Sequence, residues 1–180
     1  MATCVCLEPP SRRRAEEFLA LARQSRGFHR GWVAPPASVE EYTTYLKHCR
    51  HPSSRGFFAC DRETGVLAGV VNVSQIYRGN FQSAYLGFYA FQPCAGKGYM
   101  TEALSLVLNL IFGEMKLHRV EANIQPSNLP SIALVKRLGF SLEGYSPKYL
   151  KVGGRWRDHE RWAILAGDWR PRRGIALKGD

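Results

Sequence analysis

Gln92-Pro93-Cys94-Ala95-Gly96-Lys97-Gly98-Tyr99-Met100-Thr101-Glu102-Ala103-Leu104 is the stretch whose reading decides the fold. It joins a short apolar run ending at Phe91 to a proline-free segment reaching Met115. In that segment Ala103, Leu104, Val107, Leu108, Leu110 and Ile111 recur at helical spacing, which predicts a helix over 98–115 buried on a broad face. Glycines at such a strand-to-helix junction let backbone N–H groups approach a ligand, and the helix N-terminus adds a positive dipole end suited to a pyrophosphate. Two phosphate loops do not fit. Lys97 is followed by Gly98 where a P-loop needs Ser or Thr. The third glycine and early βαβ placement of a dinucleotide fold are missing.

Upstream, Ser11 opens a helical segment over 14–26, Pro35-Pro36 interrupts it, and Ser38-Val39-Glu40-Glu41 reads as a capping box for a helix to about Cys49. Residues 56–61, 66–75 and 83–91 are short β-branched or aromatic runs separated by turn residues such as Arg78-Gly79-Asn80, an antiparallel meander. Downstream, 118–125 alternates Val120, Ala122 and Ile124 with Arg119, Glu121 and Asn123, a half-buried strand. A helix over 129–138 ends at Gly139, and two strands, 140–151 and 155–165, turn at Gly153-Gly154. The sum is a single α/β (α+β) domain over 1–168 with a mixed, mostly antiparallel sheet flanked by helices, followed by a basic tail, 169–180.

Composition narrows the function. At 180 residues and 45% hydrophobic, the chain buries a core without disulfides or metal. Five cysteines (Cys4, Cys6, Cys49, Cys60, Cys94) form no CxxC pair and have no His at zinc-finger spacing, so reduced thiols in a cytoplasm and no metal are expected. No apolar run suits a membrane span and the N-terminus does not read as a secretory leader. The net charge of +10, with Arg12, Arg13 and Arg14 clustered and Arg170, Arg172, Arg173 and Lys178 in the tail, favours polyanionic partners. Either cluster is equally a solvated terminus.

Around this loop the sequence resembles the GNAT superfamily of acetyl-CoA-dependent N-acetyltransferases. The family's Gln/Arg-x-x-Gly-x-Gly/Ala motif appears as Ala95-Gly96-Lys97-Gly98-Tyr99-Met100, departing at Ala95 and Met100 but keeping the backbone donors. Asn128-Leu129-Pro130-Ser131, Arg137-Leu138-Gly139-Phe140, Glu143-Gly144-Tyr145 and Trp156-Arg157-Asp158-His159 match further family features. Together these cover about 84–165 and look most like the branch acetylating N-terminal alanine or serine of ribosomal proteins (RimJ/RimL-like). The resemblance implies that acetyl-CoA lies along the strand before the loop, with Phe88, Tyr89 and Ala90 pairing its pantetheine arm. Ala95 through Thr101 would then take the pyrophosphate, and Asn128 and Ser131 would reach the arm. Each has a plainer structural reading: sheet core for Phe88–Ala90, a solvated charge for Lys97, a helix cap for Asn128 and Ser131.

Transfer needs a neutral amine, an oxyanion donor and a proton for the departing thiolate. An α-amine of pKa ~7.7–8.0 is already ~10–15% neutral at pH 7, so a weak base suffices, whereas a lysine amine is neutral only a few parts in ten thousand. Glu121 is the base candidate, with an Arg119 ion pair as its structural alternative. Asp158 and Glu160 share a strand face with Trp156 and Trp162, where desolvation would raise a carboxylate. Tyr145 and Tyr149 are candidate donors to the thiolate, and packing residues otherwise. Cys94 lacks a paired His and reads as a neighbouring thiol. Phe28, Trp32 and Tyr42 form an aromatic patch that fits a substrate wall or a dimer contact, so monomer and homodimer both stay open. A protein N-terminus, reached by ribosome docking, is the favoured acceptor. A small amine on the same scaffold, or a non-catalytic RNA-binding module, are the alternatives.

Overall fold

The computed structural model describes residues 4–171. Arg172, Arg173 and Lys178 of the proposed basic tail lie outside the described residues. Seven strands form one sheet, β1 (Val5–Glu8), β2 (Arg55–Asp61), β3 (Leu67–Tyr77), β4 (Ser83–Ala90), β5 (Arg119–Ile124), β6 (Ser141–Val152) and β7 (Arg155–Leu165), in the order β1-β2-β3-β4-β5-β7-β6. Every pair is antiparallel except β4 with β5. The meander, the βαβα succession and the C-terminal hairpin follow the sequence reading. β1 was not anticipated: four residues are too few to show an alternation, and its strand character comes from pairing with β2.

Alternation splits the core in two. Phe57, Ala59, Val71 and Val73 face one side and pack with α4 (Tyr99–Asn109) and α5 (Leu129–Arg137). Phe58, Cys60, Val70 and Phe91 face the other and pack with α1 (Ala15–Gln24) and α3 (Val39–Cys49) around Phe18. The result is a three-layer domain in which β2 and the first half of β3 are buried on both faces, while β6 at the far edge is largely exposed. Ser38 caps α3 by accepting from the Glu41 N–H at 3.2 Å, while the Glu41 carboxylate reaches back to the Ala37 N–H at 2.7 Å, one residue outside the expected box. A four-residue helix, α2 (Arg26–His29), follows α1 directly.

Two boundaries move. The long helix expected over 98–115 is α-helical only to Asn109 and then widens into a π turn, Leu110–Glu114. Trp169, assigned to the tail, is buried and donates its indole N–H to Asn109 Oδ1 at 2.8 Å, so the folded unit runs past 168. Tyr42 is not part of an exposed aromatic patch: it is 1% exposed, and its hydroxyl donates to the Ser11 carbonyl at 2.8 Å.

Candidate active site

β4 and β5 are held together over only three residue pairs, Ser83 with Arg119, Ala84 with Val120 and Tyr85 with Glu121, and then part. The Phe91 N–H donates to the Ala68 carbonyl at 2.9 Å. Antiparallel alternation therefore turns the backbone groups of Gly87 and Tyr89 toward β3 and those of Leu86, Phe88 and Ala90 toward the gap. An unpaired strand edge facing a gap is a template for an extended amide-bearing ligand.

The gap opens into a cavity of 820 Å³, within the range of small-molecule sites. On the α4/α5 side its wall is the loop Ala95, Gly96, Gly98, Tyr99, Met100 and Thr101, with Asn128, Ser131 and Arg137 opposite. On the α1/α3 side the wall is Phe28, His29, Trp32 and Val33, with Asn123 and His159. The cavity thus runs through the sheet, from the glycine loop to the aromatic residues after α1. A second cavity, of 630 Å³, lies at the β1 edge, away from this loop.

The loop fits a phosphate ligand. Gly96 and Gly98 hold φ of +75° and +87°, which tilt successive amides toward the cavity. Among the described residues no protein acceptor meets the N–H groups of residues 96–100, while Thr101 N–H turns back to the Gly98 carbonyl at 3.0 Å. α4 has no side-chain cap, so its dipole end is open to the cavity. Met100, the departure from the family motif, packs on the sheet. A Cβ built at Gly69 would lie 2.4 Å from its sulfur, so this side chain leaves the loop amides uncovered. Lys97 is exposed and does not line the cavity. The Tyr99 hydroxyl is committed elsewhere, donating to Asp61 at 2.6 Å. That bond pushes the phenol up to about 12 and holds Asp61 down at about 2, so only the Tyr99 backbone serves the loop. Arg137 donates to Thr101 Oγ1 at 3.3 Å and puts a guanidinium beside the glycine loop.

Asn128 is both cap and lining residue. Its Oδ1 accepts from the Ser131 N–H at 3.3 Å, which leaves the amide NH₂ as a donor toward the cavity, and the Ser131 hydroxyl has no protein partner among the described residues. Cys94 lines the cavity as a protonated thiol, pushed up by burial.

The carboxylate candidates are not at the cavity. Glu121 lies in the paired part of β5, before the strands part, and accepts from Arg119 Nε at 2.9 Å; Arg119 also pairs with Glu143. Asp158 accepts from the Tyr145 hydroxyl and from the Lys148 N–H, and both bonds hold it below the ordinary carboxylate range, opposite to the rise expected from neighbouring tryptophans. Tyr145 is raised by the same bond and is spent as a structural donor. Glu160 accepts from the Trp162 indole at 2.9 Å. Among the described residues, Arg137 is the one Lys, Arg, Asp or Glu side chain on the cavity wall.

Two histidines that sequence reading did not single out are there instead. His29 is 4% exposed, and its Nε2 lies 2.7 Å from the Ala90 carbonyl; burial lowers its pKa. His159 is 3% exposed, with Nδ1 2.9 Å from the Arg157 carbonyl, and burial lowers it also. Trp156-Arg157-Asp158-His159 pointed to this place. The parity of β7 decides between its members: His159 and Arg161 share the face of Asn123, whereas Trp162 turns to the α4/α5 core.

A splayed mixed sheet, an uncapped glycine loop beside the gap and a through-going cavity suit an extended, phosphate-bearing ligand that meets a second reactant across the sheet, the arrangement expected of a group transferase. The profile of the acetyltransferase (GNAT) domain matches residues 5–141, and the chain belongs to that family. It is 44% identical over 162 residues to the Probable N-acetyltransferase YjcK of Bacillus subtilis (86% of this chain, 90% of the relative). It is 35% identical over 152 residues to the [Ribosomal protein uS5]-alanine N-acetyltransferase of Escherichia coli (83% and 74%). Mycobacterium smegmatis RimJ in complex with CoA-disulfide superposes at a TM-score of 0.83, with 28% identity over 91% of this chain and 82% of that one. These place the chain in the RimJ/RimL-like branch. A Spermidine N(1)-acetyltransferase of Escherichia coli is also related, at 30% identity over 76% of this chain and 73% of the relative. The protein is therefore an N-acetyltransferase with acetyl-CoA as co-substrate.

Proposed function

We propose that the acceptor is the N-terminal α-amine of a protein, a ribosomal protein in particular. The observation that carries this reading is the absence of any carboxylate on the cavity wall among the described residues. A polyamine brings several positive charges, and a site for one needs carboxylates to offset their desolvation. The acidic pocket that Glu121, Asp158 and Glu160 would have made is not assembled. An α-amine carries at most one charge and is in part neutral at pH 7. The relationship to a uS5-alanine acetyltransferase supports the same choice. So does the basic surface, which suits a ribonucleoprotein and repels polycations.

In this reading the amides of residues 96–100 hold the pyrophosphate, with Arg137 beside them. The outward backbone of Phe88 and the Ala90 N–H pair the pantetheine arm, the Ala90 carbonyl being taken by His29, and the Asn128 amide donates to the arm. Phe28 and Trp32, 46% and 37% exposed, frame the acceptor's entrance on the far side of the sheet. The Ser131 hydroxyl donates a hydrogen bond to the departing sulfur.

The test is a competition between peptides beginning with Ala or Ser and spermidine, each with acetyl-CoA. Peptides should lead in kcat/KM by ~100-fold, a difference of about 2.7 kcal/mol. Equal or better turnover of spermidine would sink the reading.

A further inference from the structure

With no carboxylate at the cavity among the described residues, the proton lost by the amine needs another receiver. We propose that His159 Nε2 is the general base of the transfer. The Arg157 carbonyl can only accept, so the 2.9 Å contact fixes the proton of a neutral imidazole on Nδ1 and leaves the lone pair on Nε2. Among the described residues Nε2 has no partner, and it is not one of the buried polar atoms sealed from solvent. The ring lines the cavity on the face of Asn123, across the sheet from the glycine loop, which is where an acceptor meets a thioester threaded through the gap.

The other cavity imidazole is built differently. His29 Nε2 donates to the Ala90 carbonyl, and its Nδ1 is buried with no route to a ligand, so it holds structure and cannot take a substrate proton. Burial lowers both rings, and a neutral imidazole at working pH is the form that accepts. The groups around His159 are Arg157 and Arg161 on its own strand face, Asp158 beside it in sequence, and Tyr149 from β6 with its ring centre 6.3 Å away. Glu121 on the same face of β5 is occupied by Arg119, and His29 stands on the opposite wall.

The balance closes without a further reactant. The amine nitrogen forms the C–N bond, the C–S bond breaks with its electrons on sulfur, and nitrogen passes one proton to Nε2. The imidazolium then returns that proton to the thiolate, directly or through water.

His159→Asn keeps a donor near the Nδ1 position and removes the base; His159→Gln is the second variant. Both should keep the acetyl-CoA Kd within ~2-fold and lower kcat by ~100-fold or more, the usual range for a lost general base. The part of the acid limb of the kcat/KM profile that lies below 6.5 should vanish with them, leaving only the limb set by ionisation of the acceptor amine. Imidazole ¹⁵N spectra of the ligand-free wild type should show an Nδ1–H tautomer for His159 titrating below 6.5. An Nε2–H tautomer, or a His159→Asn enzyme within ~3-fold of wild type with an unchanged pH profile, overturns the proposal. The assay uses whichever amine proves active, so failure of the N-terminal acceptor and failure of the base are read separately.

Discussion

His29 Nε2 donates to the Ala90 carbonyl oxygen across 2.7 Å, and this one bond joins the α1/α3-side wall of the cavity to the unpaired edge of β4. Ser25, fully buried, reinforces it by accepting from the Gln92 N–H at 2.9 Å. The helix α2 is too short to hold itself, so these two bonds and the ring contacts of His29 with Tyr89 and Phe91 position Phe28 and Trp32.

His29→Ala should therefore cost about 1–3 kcal/mol, because it removes a buried ring together with its hydrogen bond to the Ala90 carbonyl. It should also raise the acceptor KM more than the acetyl-CoA KM. Denaturant midpoints and two-substrate kinetics check both.

The same residue makes stability depend on pH. Both buried histidines sit below their ordinary 6.5, so the unfolded chain binds more protons than the folded one as pH falls from 6.5 toward the folded values. Stability from this source is complete above about 6.5 and is lost on acidification below it. Urea midpoints should fall between pH 7.5 and 5.5, above the range where carboxylates titrate. The fall should shrink in His29→Gln and again in His29→Gln/His159→Gln.

Gly98 and Gly139 separate backbone strain from ligand binding. Both hold positive φ, +87° and +92°, and neither would place a Cβ within 3.4 Å of the protein. Alanine at either should cost about 1 kcal/mol in strain, roughly 2–4 °C in a chain this size. Gly98→Ala should in addition weaken acetyl-CoA at least ~10-fold in calorimetry, while Gly139→Ala leaves it unchanged. Equal affinities would remove the loop from the binding site.

Asn128 carries two functions that substitution can divide. Asn128→Ala should lose about 1 kcal/mol as a missing helix cap and weaken acetyl-CoA. Asn128→Ser restores the cap, since Ser accepts from the same N–H, but it has no amide to donate. Its melting temperature should recover while its acetyl-CoA KM stays high. Full recovery of both would make Asn128 a cap only.

The glycine loop, the start of α4 and the Asn128 cap were legible in the sequence because they are local: they lie within contiguous segments whose spacing carries their geometry. The titratable groups of the cavity wall were not. Glu121 has the right face, but it sits two residues before Asn123, in the stretch where β4 and β5 are still paired. Where two strands part is decided by packing on both faces, which no alternation within β5 encodes. His29 was missed for a similar reason, since a four-residue helix shows no period and its partner carbonyl is 61 positions away. His159 stood inside a quoted motif, and strand parity relative to Trp162 would have separated it from Asp158.

Glu121→Gln and Asp158→Asn measure how much that separation matters. Glu121 is partly buried against Arg119, which keeps its second partner Glu143 when Glu121 is neutralised, so the loss should stay within about 1 kcal/mol. Asp158 holds the Tyr145 hydroxyl and the Lys148 N–H at the start of the hairpin arm, so its change should loosen that arm without touching the cavity. Neither should lower kcat by more than ~3-fold, far short of the ~100-fold that loss of a general base brings. Their pH–rate profiles should keep the acid limb of the wild type. A carboxylate variant that abolished the part of that limb below 6.5, with acetyl-CoA binding intact, would return the proton to Glu121 or Asp158 and take it from His159.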